Sequence, residues 1–410
     1  MEVTPHYGDA GRSGVYRVSG VPDKAAVAWV ARTDSPVVAS PVLAGDTLLA
    51  ADVSGVLYAF DAVTGELRWR CTVGEGYRDG RAEFMVAPDV WNSWVFVELA
   101  GGDGSVFDVR TGELVRKLDD YGSPTVFGDL LLLNTLNEVR ALDLPDLRLR
   151  WRSTDASGWV QTSPAISADG MAYAALGFEA NHTHTGVAVL DMSSGELVTL
   201  IEPGDLTFPA EPPDEDDEDW EDGDDEEHVA YFAQAHAVLA EGRVWMPASR
   251  EDDEWTAQVV GLDPRTGEQV WSYLPDLDRD NEVDSGVAVL DGTVFLVEIL
   301  RDVPPEEDSA RLHAVDIASG HARWVRPFGS CAGSPVVANG VVYVASSTGT
   351  VSAFDASTGE SRWTAETGAE VLHPGFVDEF GDQYREHGLA ILPGDGVLYV
   401  RTSAGLVALR

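Results

Sequence analysis

The amino-acid sequence predicts an all-β fold: one closed, eight-bladed β-propeller in which each blade has four antiparallel strands. Three observations lead to this prediction. A phrase built around an aspartate recurs seven times, Ser-Pro dipeptides open strands upstream of several copies, and the two chain ends supply complementary parts of one further blade. Repeats at this spacing are typical of propellers, because each blade buries its apolar faces only against its neighbours.

The recurring phrase predicts the outer hairpin of each blade. In the first copy, YAFDAVTGELRW, an alternating apolar strand runs into Asp61. An aspartate at this point can accept hydrogen bonds from the backbone of the turn that follows it. The seven anchor aspartates are Asp61, Asp108, Asp143, Asp191, Asp263, Asp316 and Asp355.

A glycine four residues after the anchor predicts a tight turn, because glycine readily adopts the positive φ that such a turn requires. Six copies carry it, as Gly65, Gly112, Gly195, Gly267, Gly320 and Gly359. The strand that leaves the turn often ends in a tryptophan, which can pack against the neighbouring blade. These docking tryptophans are Trp69, Trp151, Trp271, Trp324 and Trp363.

Ser-Pro dipeptides upstream of the hairpins predict the two inner strands of a blade. The run SPVVANGVVYVAS, which begins at Ser334, has the pattern strand, tight turn, strand. Proline is tolerated there because the first residue of a strand need not donate a hydrogen bond to the sheet. The dipeptides stand at positions 40–41, 123–124, 163–164 and 334–335.

The chain ends predict how the ring closes. Residues 389–410 supply three strands, whereas AAVAWVAR, which starts at Ala25, supplies a fourth strand with Trp29 in the docking position. Pairing these two pieces would leave the sheet without a free edge. We therefore expect a single propeller domain over residues 25–410, preceded by an N-terminal extension over residues 1–24.

Three blades depart from the repeat. Arg116 and Thr199 stand where blades 2 and 4 should carry the docking tryptophan, and Leu147 replaces the turn glycine of blade 3. If the ring is irregular anywhere, we expect the irregularity in blades 2, 3 and 4.

A long acidic segment separates blades 4 and 5. Residues 203–228 include the run EPPDEDDEDWEDGDDEE, which starts at Glu211. Because so many like charges repel one another and cannot pack, we expect a disordered loop inserted between the two blades. The alternative is a docking strip for a basic partner, with Trp220 as its anchor.

The phrase Asp-x-x-Thr-Gly-Glu-x-x-Trp resembles the repeat of the pyrroloquinoline-quinone-like propellers, which include the quinoprotein alcohol dehydrogenases and the BamB-like assembly lipoproteins. The resemblance covers nearly the whole chain, over residues 25–410. It implies the propeller fold and leaves the function open, because the family includes enzymes, scaffolds and sensor domains.

For a redox enzyme, the resemblance implies a quinone in the central funnel, a disulfide between adjacent cysteines, a tryptophan platform, a calcium ion and a catalytic aspartate. This chain has only Cys71 and Cys331, which fall in different blades, so we expect reduced thiols and no pyrroloquinoline quinone. An assembly lipoprotein would need an export signal and a lipidated cysteine near its start. The opening MEVTPHYGDAGRSG shows neither, and we expect a cytoplasmic protein.

Charge narrows the classes of partner. The chain has 70 acidic and 27 basic residues, a formal net charge of −43 at pH 7. Such a surface repels phosphate backbones and anionic lipids, which argues against nucleic-acid and membrane partners. It attracts cations and basic proteins instead.

A ligand of a propeller is expected at the mouth of the axial channel, where residues enter each innermost strand. The Ser-Pro register places acid, imidazole, amide and indole side chains there, a mixture that could hold a small polar or cationic ligand. The candidates are Glu83, Trp159, Gln161, Gln234, His236, Asp284, Cys331 and His387. The alternative is a water-filled funnel with polar walls.

One acidic motif predicts a calcium site. The run DLDRDNEVD places aspartates at alternate positions, with Asn281 where a tight loop usually has glycine and where a left-handed conformation is expected. Calcium prefers oxygen ligands of this kind. The four candidate ligands are Asp276, Asp278, Asp280 and Asp284. A chance match is the alternative, because acidic residues are common throughout the chain.

The sequence carries no HExxH helix, no phosphate-binding loop and no GxSxG elbow. We therefore expect a non-enzymatic, monomeric propeller that binds a protein partner, which could be basic, or a small polar ligand at its axial face. The alternative is an enzyme with a site in the central funnel, drawing on Glu83, His236, Asp284 and His387.

Overall fold

The structure is a computed structural model that describes most of the chain. The described residues are 7–73, 87–98, 104–118, 123–134, 138–154, 159–160, 164–177, 186–202, 206–207, 229–232, 236–251, 255–275, 281–283, 285–300, 309–372 and 389–410. All regular secondary structure in these ranges is β-strand. None of them forms a helix long and apolar enough to cross a membrane.

Eight antiparallel sheets follow one another along the chain, which confirms the predicted eight-bladed propeller. The first two strands are β1 (Val15–Tyr16) and β2 (Val27–Arg32). Blade 1 then contains β3 (Val42–Ala44), β4 (Thr47–Ala51), β5 (Val56–Asp61) and β6 (Leu67–Thr72). Blade 2 contains β7 (Asp89–Trp91), β8 (Trp94–Val97), β9 (Ser105–Asp108) and β10 (Leu114–Lys117). Blade 3 contains β11 (Ser123–Phe127), β12 (Leu130–Asn134), β13 (Val139–Asp143) and β14 (Arg148–Ser153).

The next three blades have five strands each, because their innermost strand is in two pieces. Blade 4 contains β15 (Trp159–Val160), β16 (Ala165–Ile166), β17 (Met171–Gly177), β18 (Gly186–Asp191) and β19 (Leu197–Ile201). Blade 5 contains β20 (Val229–Phe232), β21 (Val238–Ala240), β22 (Arg243–Glu251), β23 (Trp255–Leu262) and β24 (Gln269–Tyr273). Blade 6 contains β25 (Asn281–Glu282), β26 (Ala288–Leu290), β27 (Thr293–Leu300), β28 (Ala310–Asp316) and β29 (Ala322–Pro327).

The last two blades complete the ring. Blade 7 contains β30 (Val336–Ala338), β31 (Val341–Ala345), β32 (Thr350–Asp355) and β33 (Ser361–Glu366). Blade 8 takes β34 (Ile391–Gly394), β35 (Val397–Thr402) and β36 (Gly405–Leu409) from the C-terminus. Its outer strand is β2, which pairs antiparallel with β36, so the predicted sharing of one blade between the two ends is confirmed.

The order of strands defines two faces of the ring. In each blade the strands run from an inner strand at the axis to an outer strand at the rim. We call the face with the turns between the second and third strands the upper face. It also carries the connection from each outer strand to the next inner strand. The aspartate-anchored turns lie on the opposite, lower face.

The anchor aspartates act as the sequence predicts. The Asp61 carboxylate accepts hydrogen bonds from the backbone N–H groups of Val63 and Thr64, each at 2.9 Å. Blade 3 keeps the same turn without its glycine, because Leu147 adopts a φ of 55° and donates its N–H to the carbonyl of Asp143 at 2.7 Å. Leucine therefore bears the conformational strain that glycine avoids in the other copies.

Three tryptophans dock on the following blade as predicted. Each donates its indole N–H to the carbonyl of the residue directly after the next anchor aspartate. The bonds join Trp69 to Val109 at 2.9 Å, Trp151 to Met192 at 2.8 Å and Trp324 to Ala356 at 3.1 Å. The turn glycine of the neighbouring blade lies against the same ring, as at Gly359, where a Cβ would come within 2.5 Å of Trp324.

Two of the predicted docking tryptophans pack on clusters that include the next blade but do not make this hydrogen bond. Trp271 turns towards Trp245, with ring centroids 5.0 Å apart, and nothing lies within 4 Å of the position that a Cβ on Gly320 would take. Trp363 donates instead to the carbonyl of Val21 in the N-terminal extension, at 2.7 Å.

The substituted docking positions find other contacts. Arg116 donates to the Asp146 carbonyl at 3.1 Å, which ties blade 2 to blade 3 without an aromatic ring. In blade 4 the neighbour of Gly267 is Ile201, two residues beyond Thr199. Both sites confirm that Arg116 and Thr199 occupy the tryptophan register.

The irregularity of the ring extends beyond the blades where the sequence predicts it. Among the described residues, blades 2 and 3 form four-stranded sheets, whereas blades 4, 5 and 6 carry the divided inner strand. The prediction is confirmed for blade 4, and the segments before the inner strands of blades 2 and 3, residues 74–86 and 119–122, lie outside the described residues. Substitutions in the outer hairpin do not disturb the sheet, because the backbone ladder is independent of the docking side chain.

The hydrophobic core lies between adjacent blades and not within any one of them. Its largest cluster joins blades 7, 8 and 1 to the N-terminal extension, through buried side chains that include Tyr16, Leu48, Tyr343 and Leu398. Residues 7–24 are thus part of the folded ring.

Candidate functional site

The divided inner strands of blades 4, 5 and 6 shape the upper face. Their short upper pieces pair with the far ends of long second strands, as Asn281 does with Leu300. The second strands β17, β22 and β27 have 7, 9 and 8 residues, against 5 in β4 and β31. At ~3.3 Å per residue, these strands rise about 7 to 13 Å higher than β4 and β31. We call blades 4–6 the raised sector.

Blades 7, 8 and 1 form a low sector beside it. Their second and third strands are joined by tight turns at 346–349, 402–405 and 52–55. In the last of these, the buried Asp52 carboxylate accepts bonds from the N–H groups of Ser54 and Val56 and from the hydroxyl of Tyr58. Among the described residues, the second strands of blades 4–6 therefore reach higher on the upper face than those of blades 7, 8 and 1.

His236 lies in the break of the blade 5 inner strand. It is 2% exposed, and the ring of Tyr7 lies 3.7 Å from its own, centroid to centroid. On its other side is Gly286, in the equivalent break of blade 6, where a Cβ would come within 2.4 Å of His236 Cε1. His236 is thus clamped between the N-terminal extension and a position that only glycine fits.

Two serine hydroxyl groups lie near Gly286, the glycine that contacts this histidine. Ser334 Oγ lies 3.1 Å from the Cβ position of Gly286, and Ser285 directly precedes that glycine. Both side chains are buried, and neither has a hydrogen-bond partner within the described part of the protein. Hydroxyls of this kind can donate to or accept from a polar group in the channel.

The N-terminal extension runs inside the ring, which the sequence does not predict. We call residues 7–16 the N-terminal arc, because its carbonyl groups accept one backbone hydrogen bond from each of four successive inner strands. The bonds join Ile166 N to Ala10 O at 2.7 Å, Leu239 N to Gly11 O at 2.7 Å, Val289 N to Ser13 O at 2.9 Å and Val337 N to Gly14 O at 2.9 Å. The arc then continues as β1, parallel to β30.

Arg12 extends from the arc into the channel. Its Nε donates to the carbonyl of Pro164 at 3.0 Å, and its guanidinium lies 5.5 Å from the ring centroid of Tyr7. Within the arc, Ser13 donates both its N–H and its hydroxyl to the Asp9 carboxylate, at 3.0 and 2.6 Å. These bonds give the arc a defined conformation.

A carboxyl group with an altered acidity belongs to the wall of the same channel. Burial raises the pKa of Asp89, on the inner strand of blade 2, to about 6. The backbone N–H groups of Val126 and Val90 and the positive charge of Arg12 offset part of this effect. Asp89 therefore titrates close to neutral pH.

A second polar cluster lies deeper in the raised sector. Glu298 accepts hydrogen bonds from His313 Nε2 and Asn281 Nδ2, both at 3.0 Å, and Arg311 lies 3.6 Å away. Tyr273, from the outer strand of blade 5, contacts His313 Nδ1 at 3.0 Å. Burial alone would raise the pKa of Glu298, but the hydrogen bond and charge of His313, with Asn281 and Arg311, hold it below its usual range. The contact between Tyr273 and His313 means that this cluster joins blades 5 and 6. Because Glu298 is 0% exposed, its carboxylate is closed to ligands.

Two of the eight predicted funnel residues have side chains that the structure describes, and ligand binding by all eight stays a prediction. His236 and Cys331 are both buried in or beside the channel wall, and Cys331 Sγ contacts the Gly333 backbone at 3.4 Å. Trp159 begins β15, and its side chain lies outside the described residues. The other five also lie outside them, namely Glu83, Gln161, Gln234, Asp284 and His387.

The four aspartates of the predicted calcium site, Asp276, Asp278, Asp280 and Asp284, lie outside the described residues, and calcium binding stays a prediction. Their neighbour Asn281 lies in the extended strand β25 and bonds Glu298, so the left-handed conformation expected for it is wrong. Within the described ranges, no group of three or more His, Cys, Asp or Glu side chains comes together as a metal site.

The cysteines do not fit a pyrroloquinoline quinone of the kind implied by the resemblance. Cys71 lies in the outer strand of blade 1 and Cys331 in the channel wall before blade 7, and both are free thiols. They cannot form the adjacent-cysteine disulfide of the redox members. The arc also lies along the channel wall over four blades.

Sequence reasoning missed the arc, Asp89 and the Glu298 cluster. A signal existed for Glu298, since a charge inside the apolar run TVFLVEIL needs a buried partner. The only sequence signal for the arc is the closely spaced glycines of GDAGRSG. Backbone hydrogen bonds do not require particular side chains, so they produce no residue pattern.

Comparison with known proteins gives a family. A family model described as outer membrane protein assembly factor BamB matches residues 17–202 and 255–410. Among curated relatives, the serine/threonine-protein kinase AfsK of Streptomyces griseus is 33% identical over 123 residues, which is 28% of this chain and 14% of the kinase. Matches to two quinohemoprotein alcohol dehydrogenases span 19% and 21% of those enzymes, so the chain covers about a fifth or less of its curated relatives.

Solved structures show the same fold at low identity. The quinohemoprotein alcohol dehydrogenase of Comamonas testosteroni superposes with a TM-score of 0.65 and 14% identity, over 99% of this chain and 80% of that one. BamB of Moraxella catarrhalis gives a TM-score of 0.59 and 13% identity, over 94% of this chain and 97% of that one.

Proposed function

The chain belongs to the family of the outer membrane protein assembly factor BamB, and from this premise we propose that it is a non-enzymatic propeller that binds a protein partner on its upper face. The observation that carries the proposal is the difference in strand height between the raised sector and the low sector. A protein surface can dock against strand ends of unequal height over several blades, whereas small ligands prefer deep and enclosed pockets.

The contents of the channel favour a protein over a small funnel ligand. His236 is covered by Tyr7 and Gly286, and Cys331 is buried, so neither is open to a ligand that enters from above. The same cover removes His236 from the residues on which a funnel enzyme would draw.

We propose further that the partner presents a basic surface. The formal net charge of −43 would accelerate its association and make binding sensitive to salt. The acidic residues 211–227 and their use as a docking strip stay a prediction, as do the cytoplasmic location and the monomeric state.

Site-specific photo-crosslinking tests the proposal. A benzophenone amino acid is placed at Ser54 or Thr348, exposed on the low-sector turns of the upper face. The matched controls carry it at Asp46 or Asn339, exposed on lower-face turns of the same two blades. In cells of the source organism, we expect one discrete adduct from both upper-face positions and none from the controls.

The adduct should also weaken as salt is raised, as a basic partner requires. Adducts of equal yield from both faces, or from neither face, would contradict the proposal. An adduct that persists unchanged at high salt would keep the upper face but reject the basic partner.

A further inference from the structure

The N-terminal arc pairs with the inner edges of the blades, much as an added strand pairs with the edge of a sheet. Inner strands of a propeller have one edge towards the axis, and unpaired N–H groups on such an edge accept an added strand. Here four of these N–H groups, on blades 4 to 7, donate to carbonyl groups of the arc. These four hydrogen bonds bind the backbone of the arc.

Glycines set the close approach of the arc to the wall. A Cβ on Gly11 would lie 2.2 Å from the Leu239 carbonyl oxygen, and one on Gly14 would lie 2.8 Å from the Cβ of Ala288. Heavy atoms cannot come so close without displacement of the backbone. By contrast, Ala10 is exposed and has room for a larger side chain.

Three buried side chains of the arc make contacts that depend on residue type. Tyr7 covers His236, Arg12 bonds the Pro164 carbonyl and faces the charge of Asp89, and Tyr16 is 2% exposed in the core between blades. The wall therefore selects for an aromatic residue followed five positions later by an arginine, with glycine directly before that arginine.

We propose that the axial channel is a peptide-binding site, held in cis by the N-terminal arc and open to exchange with a glycine-rich, arginine-containing peptide of the same pattern. The ring is closed by β2 and not by the arc, so the arc can leave without opening blade 8. The tether through the exposed residues Asp23 and Lys24 keeps the arc at a high effective concentration and favours the cis form.

A nicked protein tests the exchange. A recognition sequence for a specific protease is inserted between Asp23 and Lys24 of the full chain, and cleavage removes the tether while leaving all residues present. A fluorescent peptide of residues 1–23 is then added and its anisotropy measured. We expect saturable uptake of one peptide per ring by the cleaved protein and none by the uncleaved protein, whose arc is in place.

Peptide variants test the recognition. Gly11→Val should weaken binding at least about tenfold, because its side chain meets the Leu239 carbonyl, whereas Ala10→Val at the exposed neighbour should bind like the parent. Arg12→Ala should weaken binding about tenfold by loss of the Pro164 bond and the Asp89 interaction.

A second variant avoids the insertion. Gly11→Val in the uncleaved full chain should weaken its own arc and let the labelled parent peptide bind without a nick. The proposal is overturned if neither protein takes up peptide, or if Ala10→Val and Gly11→Val peptides bind equally. The upper-face crosslinks do not depend on this outcome, so the two proposals can fail separately.

Discussion

The low sector and the raised sector each contain a buried carboxylate, and they satisfy its hydrogen bonds in different ways. In blade 1 the upper turn is closed by the Asp52 carboxylate, which is bonded by groups within six residues of it. In blade 6 the buried carboxylate of Glu298 is held by His313 and Asn281, 15 and 17 residues away. The Asp52 carboxylate thus organises a turn, whereas the Glu298 carboxylate joins β27 to β25 and β28. The difference teaches that a buried carboxylate can serve either local or non-local structure in the same repeat.

The largest expected effect is the loss of the Glu298 carboxylate. Glu298→Ala leaves His313 and Asn281 buried without their acceptor and should lower the free energy of unfolding by about 3–5 kcal/mol. The exposed Glu360→Ala in blade 7 is the control, with an expected change within about 0.5 kcal/mol. Urea denaturation measures both. Equal effects would mean that the cluster does not hold the raised sector together.

A pair of turn glycines compares the two sectors directly. Both Gly359 and Gly320 have positive φ, 68° and 69°, so alanine at either should cost about 1 kcal/mol in conformational strain. Only Gly359→Ala also collides with a docked tryptophan, and we expect about 2–3 kcal/mol in total for it. Thermal denaturation of the two variants should separate them. An equal loss of stability in Gly320→Ala would contradict the prediction, because it would mean that a tryptophan ring also lies against Gly320.

The pH dependence of stability distinguishes the contribution of Asp89 from that of the aspartates in the lower-face turns. Bonds from Arg68 to Asp61 and from Arg323 to Asp316 lower both pKa values to about 2, so their stabilisation is present above pH 4 and lost as the pH falls towards 2. Asp89 has a raised pKa of about 6. The folded state therefore binds more protons than the unfolded state between pH 4 and 6, and stability falls as pH rises through this window.

Asp89→Asn should remove that fall, which amounts to about 1–2 kcal/mol, and leave the loss below pH 4 unchanged. The difference between the pH profiles of the parent and the variant, from urea midpoints, isolates this one group among the many acids. Parallel profiles between pH 4 and 6 would show that Asp89 has an ordinary acidity.

The smallest expected effect concerns the indole N–H groups. Trp324→Phe loses the bond to the Ala356 carbonyl and should cost about 1 kcal/mol beyond its loss of ring area. In Trp271 the N–H is buried and has no partner within the described part of the protein, so Trp271→Phe should be milder by that amount. Chemical denaturation is again the measure, and the reverse order would contradict the assigned contacts.

Much of the fold was readable from the sequence, because each blade repeats the same local chemistry. Asp61 and its turn, the docking of Trp151 and the pairing of β2 with β36 all follow from residue types at fixed spacing. The divided inner strands were not readable. Pieces as short as Asn281–Glu282 have no periodicity, and each is stabilised by pairing with the far end of the second strand of its own blade.

The candidate site was less predictable than the fold. The predicted funnel residue His236 is covered by Tyr7, which belongs to a segment bound to the ring through its backbone carbonyl groups. Asp89 begins an ordinary strand, β7, and its altered acidity comes from burial and not from a motif. A sequence pattern indicates which residues reach the axis, and the long-range packing decides which of them are open.

The shared blade has a consequence for biosynthesis. β2 is synthesised before blades 1 to 7 and its partner β36 after them, so the ring cannot close until the strands of all eight blades have left the ribosome. Blades 4 to 7 emerge earlier, and each offers a backbone donor to the arc, which can dock on them while the ring is still incomplete. The arc would then enter through the open side, and no threading through a finished ring is needed. Closure by β2 would be the final folding event, and its slow, non-local pairing would set the time at which the protein becomes resistant to proteases.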